Sequence, residues 1–297
     1  MGKKTTAPSG IKPSPTLERK MQEQEDRQAE QETLQKNIET NMARIKHKIA
    51  VISGKGGVGK TTVAANLAVK FAESGQLTGA LDVDITGPNL HKLLGVHDKP
   101  EMDEFKKTII PVNGPLNIKI MSTAFLLPDD ITPVIWRGPM KMGVLREYLG
   151  TVEWGDLDYL IIDLPPGTGD EVLDIMQLVK PLDGVVVVTT SQEMSLISVA
   201  KTIVMASKMD VKVLGLVENM SVYRCPDCGH EEQLFGERDG AKNLADQLQV
   251  PFLGSIPMEP QVVQQANESI PAILQEKDSP AKTAFNDVFA AIQQQLG

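Results

Sequence analysis

Residues 54–62 read Gly54-Lys55-Gly56-Gly57-Val58-Gly59-Lys60-Thr61-Thr62, which is the phosphate-binding P-loop pattern G-x-x-x-x-G-K-[ST]. An apolar stretch at 48–53 precedes the loop, and Val63, Leu67 and Phe71 follow it at helical spacing. The glycines allow backbone N–H groups to close around an anionic phosphate, and the N-terminus of the following helix adds partial positive charge. The stretch therefore predicts a strand, a nucleotide-binding loop and a helix.

Each polar residue of the pattern has a predicted role. Lys60 should reach the β- and γ-phosphates, and the Thr61 hydroxyl should bind Mg²⁺. Thr62 should help to hold the α-phosphate. An outward-pointing Lys55 cannot easily reach the nucleotide of its own loop, and for a lone lysine the simplest interpretation is a solvated loop residue. The loop that surrounds the phosphates consists of Gly54, Lys55, Gly56, Gly57, Val58 and Gly59.

Composition restricts the class of protein. The chain has 297 residues, 41% of them hydrophobic, which is enough for a sizeable core. A net charge of −9 argues against nucleic acid as a partner, because phosphate contacts need clustered lysine and arginine. No apolar run approaches the ~20 residues of a membrane span. The only two cysteines, Cys225 and Cys228, cannot build a disulfide framework. We therefore expect a cytoplasmic protein without a membrane partner.

The first 46 residues differ from the rest. Prolines, serine and glycine at 7–16 predict a disordered start, and residues 17–46 are rich in Gln and Glu. Leu34, Ile38, Met42 and Ile45 could form an apolar stripe that docks on the body or on a partner. A solvated polar helix or frayed tail is the favoured interpretation of this extension. Residues 47–297 should form one P-loop ATPase domain.

Strands and helices alternate from residue 48 onward. The continuous apolar runs 159–162 and 185–188 are typical of strands buried on both faces of a parallel sheet. The alternation predicts a single doubly wound, mostly parallel α/β domain, with ligands at the carboxyl ends of its strands. Predicted strands are 48–53, 78–82, 116–121, 158–163, 184–189, 211–217 and 251–256. Predicted helices are 60–74, 139–149, 170–179, 195–208, 239–248 and 280–296.

Carboxylates follow two of these strands. Asp163 ends an apolar strand in the Walker B manner and could organise Mg²⁺ through a bound water. Asp84 could orient or deprotonate the attacking water, and Asp82 could support Mg²⁺ or hold its loop. The alternative for each is a helix N-cap or turn aspartate. That alternative is equally good for Asp170, whereas the intact P-loop makes it a poor one for Asp84 and Asp163.

Cys225 and Cys228 form a C-x-x-C pair in a loop that contains Gly and Pro. Two thiolates are half of a tetrahedral set, and a symmetric dimer would supply the other half. The pair could instead hold structural zinc across a dimer, with His230 as a further ligand. It could also be a redox pair or be inert. On the motif alone, zinc and an iron–sulfur cluster are equally good interpretations.

Several motifs together resemble one family. The string at 54–62, with its early lysine, resembles the deviant Walker A motif of the ParA, MinD and nitrogenase iron protein family. Residues 82–88 and 163–170 resemble switch I and switch II of its Mrp/ApbC branch, which contains iron–sulfur cluster carrier ATPases. Trp136-Arg137-Gly138-Pro139-Met140 and Glu218-Asn219-Met220-Ser221 match the same branch. Because the motifs occur in the right order from residue 48 to about 275, the resemblance is far more specific than a single P-loop.

The resemblance implies particular nucleotide contacts. Lys55 would cross a dimer interface to the partner's phosphates, and Asn219, at a strand end, would recognise adenine with Pro257 and its neighbours against the base. A strand-end cap is the structural alternative for Asn219. The absence of an N-K-x-D guanine signature favours ATP. Asn89 stands where members of that branch usually have serine. The difference bears on any role of a hydroxyl at this position, but not on the expected fold or nucleotide.

The resemblance also implies a function. Cys225 and Cys228 would hold a [4Fe–4S] cluster that bridges a homodimer, and a slow ATPase would pass this cluster to apo-proteins, with scaffold proteins as further partners. Residues 1–46 contain no cysteine, so no N-terminal cluster is expected. The rival interpretation is a ParA/MinD-like positioning ATPase with structural zinc at its dimer interface. Residues 281–297, with one lysine and no arginine, disfavour membrane targeting by that route.

Overall fold

A computed structural model describes residues 15–127, 138–225 and 228–297. The predicted disordered start, as far as residue 14, lies outside the described residues. So do Trp136 and Arg137 of the family motif and the two residues between the cysteines. Among the residues that the structure describes, none of the helices combines the length and apolarity needed to span a bilayer.

A nine-stranded, mostly parallel sheet organises the described part of the chain. Its strands are β1 (Ile45–Ser53), β2 (Thr78–Asp82), β5 (Val112–Asn113), β6 (Lys119–Ser122), β7 (Leu157–Asp163), β8 (Gly184–Thr189), β9 (Val213–Arg224), β10 (Glu231–Glu232) and β11 (Phe252–Met258). The order is β10-β9-β8-β1-β7-β2-β6-β5, and β11 also pairs with β9. Only β5 and β10 run antiparallel to their neighbours in it. A separate hairpin consists of β3 (Glu101–Asp103) and β4 (Thr108–Ile110).

Helices cover both faces of the sheet. They are α1 (Pro15–Ala43), α2 (Lys60–Glu73), α3 (Leu90–Leu93), α4 (Gly138–Thr151), α5 (Asp170–Leu178), α6 (Glu193–Lys208), α7 (Gly240–Leu248), α8 (Pro260–Asn267) and α9 (Pro280–Leu296). One apolar core lies between the sheet and α2, α3 and α9, and the other lies under α1 and α4–α7. Successive β1 residues alternate between them: Val51 belongs to the first core, and Ala50 and Ile52 belong to the second. This two-sided burial confirms the predicted doubly wound α/β fold.

Strand β9 is longer than predicted. The apolar run ends at Val217, but the strand continues to Arg224, because β11 and β10 pair with its second half. Asn219 therefore lies inside a strand rather than at its end, and the strand-end cap is wrong. Helix α8 and the β3–β4 hairpin were not predicted, since both are short and largely exposed.

The N-terminal helix departs from the favoured expectation. Residues 21–33 are exposed, as expected of a solvated polar helix, but Ile38 and Met42 are completely buried against the body. Asn41 Nδ2 donates to the Leu149 carbonyl in α4 (3.0 Å), and Lys48 Nζ donates to the Ile45 carbonyl just beyond the helix (2.6 Å). The expectation of a solvated or frayed extension is thus wrong for its last third, where a sparse apolar stripe suffices to dock the helix.

Candidate functional site

The P-loop connects the end of β1 to the start of α2. Gly57 and Gly59 adopt left-handed backbone conformations, with φ of 81° and 80°, which favour glycine. Gly54 has a different constraint: a Cβ there would lie 2.4 Å from the carbonyl carbon of Ser198 in α6. The loop is thus shaped both by its own turn and by close packing on a neighbouring helix.

Lys60 and Asp163 form a buried ion pair at the base of the loop. Lys60 Nζ lies 2.5 Å from Asp163 Oδ1, and both side chains are buried. Burial raises the pKa of Asp163, and the Lys60 ammonium opposes that increase. Lys60, which we predicted to reach the phosphates, is therefore paired in this structure with the Walker B carboxylate.

The other oxygen of Asp163 is suited to a metal-bound water. Asp163 Oδ2 is buried and has no hydrogen-bond partner in the described part of the structure. The Thr61 hydroxyl lowers the pKa of the same carboxyl group, and Thr62 follows it, half-buried, in the first turn of α2. A hydroxyl beside an unsatisfied carboxylate oxygen fits the hard oxygen ligands that Mg²⁺ prefers.

Asp82 lies opposite Asp163 at the end of β2. Its carboxylate accepts the backbone N–H groups of Asp84 and Leu90, each at 3.0 Å. Burial, and then the charge of Asp163, raises the pKa of Asp82 to about 8. Of the two roles considered for Asp82, these contacts favour holding the loop that leads to α3.

Asp84 forms a turn in this structure. Its Oδ1 accepts from the Thr86 hydroxyl (2.6 Å) and from the backbone N–H of Thr86 (3.1 Å) and Gly87 (3.3 Å). The side chain is half-buried at the carboxyl end of β2, on the same edge of the sheet as Asp163. The turn-aspartate interpretation thus describes its contacts here, and a role toward water requires Asp84 to leave them.

Asn219 contacts the P-loop directly. Its Nδ2 donates to the Val58 carbonyl at 2.9 Å, and a Cβ on Gly59 would lie only 2.0 Å from this nitrogen. Pro257 follows Ile256, the residue of β11 that pairs with Asn219, and is half-buried. Lys55 is exposed. The structure therefore places Asn219, Pro257 and the loop at one edge of the sheet.

The cysteine pair lies at the tip of the β9–β10 hairpin. The backbone N–H of Cys225 donates to the His230 carbonyl, and that of Gly229 donates to the Cys225 carbonyl, both at 2.9 Å. Cys225 is half-buried, Cys228 is exposed, and no disulfide joins them. Among the described residues, no group of three or more His, Cys, Asp or Glu side chains could hold a metal. The described residues thus place one half-buried and one exposed thiol at this end of the hairpin.

Sequence reasoning missed a third buried carboxylate, that of Glu218. Ser191 and Ser255 both donate hydrogen bonds to it. The available signal was a charged residue directly after the apolar residues of a predicted buried strand. Such a residue needs partners that sequence alone does not reveal.

Comparison with known proteins identifies the family. The ParA family model, described as a NUBPL iron-transfer P-loop NTPase, matches residues 44–293. The chain belongs to this family. The resemblance to Mrp/ApbC-type carriers that the motifs indicated is thereby confirmed.

Two curated relatives of this chain bear the same name. The chain is 45% identical over 259 residues to the iron-sulfur cluster carrier protein of Methanocaldococcus jannaschii, covering 87% of this chain and 88% of the relative. It is 40% identical over 279 residues to the protein of the same name from Methanococcus maripaludis, covering 94% and 92%.

Solved structures show the same fold. A nucleotide-binding protein of Archaeoglobus fulgidus, in complex with ADP and containing cobalt, is 39% identical with a TM-score of 0.72, covering 84% of this chain and 96% of that one. The cell division ATPase MinD of Pyrococcus furiosus is 25% identical with a TM-score of 0.59, covering 84% and 98%. The chain therefore shares its architecture with a cell-division ATPase.

Proposed function

We propose that this protein is a cytoplasmic, homodimeric ATPase that binds a [4Fe–4S] cluster between two subunits and transfers it to apo-proteins. The observation that carries the proposal is a C-x-x-C pair with an exposed Cys228, on a chain of the iron-transfer P-loop NTPase family. The relatives named iron-sulfur cluster carrier proteins support the cargo. The related structure with ADP supports the nucleotide.

The nucleotide half of the proposal concerns the loop and the buried carboxylates. Lys60 leaves its ion pair with Asp163 and binds the β- and γ-phosphates. Thr61 and Asp163 hold Mg²⁺. When bound, Mg²⁺ neutralises charge on the phosphate oxygens. Asp84 leaves its turn to orient the attacking water. Asn219 and Pro257 hold the adenine.

Lys55 belongs to the partner's site in this proposal. Lys55 is exposed, so a second subunit that approaches the P-loop can meet this lysine. An added positive charge there stabilises the charge that develops on the transferred phosphoryl group. Turnover is accordingly slow unless two subunits meet.

Mixing two inactive variants tests the dimeric ATPase. Lys55→Ala and Lys60→Ala subunits, each inactive alone, should regain roughly a quarter of wild-type ATP turnover when mixed, because half the dimers are mixed and each has one complete site. If Lys55 acts within its own chain, the mixture stays inactive. A mixture of Lys60→Ala with Asp163→Asn is the matched control, since both changes then damage a site within one chain and no complementation occurs.

The cluster half rests on symmetry and exposure. Two thiols on a turn supply half of the four thiolates that a [4Fe–4S] cluster takes, and an isologous contact supplies the same two again. Cys228 is exposed, so a client protein can reach the cargo. Hydrolysis alters the packing of the subunits and thereby the bridge between the cysteine pairs.

Transfer is tested with the loaded protein and an apo-enzyme that needs a [4Fe–4S] cluster. Activity of that enzyme should rise with added loaded carrier in the presence of a chelator that captures free iron. Cys228→Ala should abolish the rise. Equal activation by the wild type and Cys228→Ala would show that released iron, and not the carrier, rebuilds the cluster.

A further inference from the structure

Glu218 has a buried carboxylate with a partner on each side. Only 4% of the residue is exposed. Ser191, which follows the end of β8, donates to Oε1, and Ser255 in β11 donates to Oε2 at 2.6 Å. Burying a carboxylate is costly unless it accepts hydrogen bonds, and charge-assisted bonds are the strong ones. Glu218, in β9, is therefore the point at which Ser191, just after β8, and Ser255, in β11, are both held to β9.

Ser191 in turn supports the chain that returns from the cysteine hairpin. A Cβ on Gly236 would lie 1.7 Å from the Ser191 carbonyl oxygen, and one on Gly240 would lie 3.4 Å from Ser191 Oγ. Gly236 is also in the left-handed region, with φ of 65°. The segment between β10 and α7 thus rests directly on the residue that Glu218 holds.

The neighbouring residue contacts the nucleotide loop. Asn219 donates to the Val58 carbonyl of the P-loop. The next residue, Met220, has a φ of 54°, which is unusual for a side chain other than glycine. The pairing of β9 with β11 shifts register over this stretch, between Asn219 and Tyr223. Strained backbone of this kind is concentrated at functional sites.

We propose that Glu218 is a positioning residue that couples the P-loop to the cysteine hairpin through Ser191. A displacement of Asn219 by bound nucleotide moves β9, and Glu218 transmits that movement to Ser191 and to the segment seated on it. The hairpin is thereby connected to the nucleotide site at both of its ends. The inference rests on the proposed function in treating Asn219 as a nucleotide contact and Cys225 and Cys228 as the cluster site.

The two thiols provide a readout that needs no cluster. Because Cys225 and Cys228 are the only cysteines of the chain, the rate of alkylation by iodoacetamide reports on the hairpin alone. The experiment uses the full-length protein without iron and compares the rate with and without Mg·ADP. In the wild type, ADP should change the rate by at least about threefold, a typical lower size for coupling between sites.

Four variants separate positioning from general destabilisation. Glu218→Ala and Ser191→Ala should bring the ADP-dependent rate ratio to about one, while the Kd for ADP changes by less than about threefold. Glu218→Gln preserves the shape and can still bond both hydroxyls, so it should retain the wild-type ratio. Ser255→Ala is the matched control, since it removes the other bond of the same carboxylate and leaves the link to Ser191 intact.

Each outcome decides the role of Glu218. The proposed role is overturned if Glu218→Ala and Ser191→Ala both keep the ADP-dependent ratio of alkylation rates seen in the wild type. It is also overturned if ADP does not change the alkylation rate of the wild-type protein. If Glu218→Ala fails to fold, Ser191→Ala alone decides. A protein that shows the predicted ratios but takes up no iron would contradict the cluster-carrier function while leaving the coupling established.

Discussion

At the scale of single residues, two buried carboxylates share one lysine. Asp82 and Asp163 are register partners at the ends of β2 and β7, and Lys60 is paired with Asp163. Two neighbouring buried carboxylates do not both ionise readily, which agrees with the pKa of about 8 for Asp82. We therefore predict that Asp82 keeps a proton at neutral pH.

This proton predicts a pH dependence of stability. The folded protein retains the Asp82 proton up to about pH 8, whereas the unfolded chain releases it near its ordinary value of 3.8. The resulting stabilisation is complete below the unfolded pKa and is lost as pH rises through the folded pKa. Between pH 5 and 7 the Asp82 contribution should fall by about 1.4 kcal/mol per pH unit.

The measurement is urea unfolding of the metal-free protein between pH 5 and 9. Asp82→Asn removes the titrating group, so the difference between wild-type and variant free energies should decline with pH. Parallel pH profiles for the two proteins would mean that Asp82 is ionised in the fold.

Two glycines of the P-loop should differ sharply on substitution. Gly54→Ala places a Cβ 2.4 Å from backbone of α6, whereas a Cβ on Gly56 meets nothing closer than Pro166 at 3.9 Å. We expect Gly54→Ala to cost about 1–3 kcal/mol of unfolding free energy, as overpacking does, and Gly56→Ala to cost much less. Thermal unfolding of the two variants checks this, and equal losses would contradict the packing constraint on Gly54.

At the scale of elements, local patterns predicted much of the fold. Helix α9 has the predicted bounds, and β8 does too, because an amphipathic period or a continuous apolar run specifies each. The second half of β9 was missed because it is stabilised by pairing with β10 and β11, which the apolar pattern of β9 itself does not reveal. Buried Glu218 was missed for the same reason: Ser191 and Ser255 are brought to it only by the fold.

The docking of α1 was not the favoured prediction, because most residues of this helix are polar. Ile38 and Met42 are nevertheless fully buried, and a Cβ on Gly150 of α4 would lie 2.6 Å from Leu34 Cδ1. Because α1 and α4 approach each other closely at Gly150, a few apolar residues are enough to hold the long polar helix α1 in place. The spacing of apolar residues along α1 does not reveal that α4 packs this closely against them.

Two methionines of α1 test this docking. Met42 is completely buried, and Met21 is 48% exposed on the same helix. Met42→Ala should cost about 2–5 kcal/mol of unfolding free energy, while Met21→Ala should stay within about 0.5 kcal/mol of the wild type. Denaturant unfolding monitored by circular dichroism gives both values. Equal, small losses would show that the extension does not dock in solution.

At the scale of the whole molecule, the nucleotide loop and the cysteine turn are joined by one strand. Asn219 contacts the P-loop, and Cys225 follows β9 at its end. The motifs predicted that the P-loop and the carboxylates Asp82 and Asp163 follow neighbouring strands, whereas the position of the cysteines at a hairpin tip depended on the extension of β9. A carrier needs both features, since the cargo must be exposed and must also respond to ATP.

The most direct test is the metal content of the dimer after anaerobic incubation with iron and sulfide. Size-separated dimer should contain close to four iron and four sulfide, the content of one [4Fe–4S] cluster. Cys225→Ser should lose both while still binding ADP. A dimer that retains zinc, or that takes up no iron, would contradict the cluster-carrier function and favour a positioning ATPase with structural cysteines.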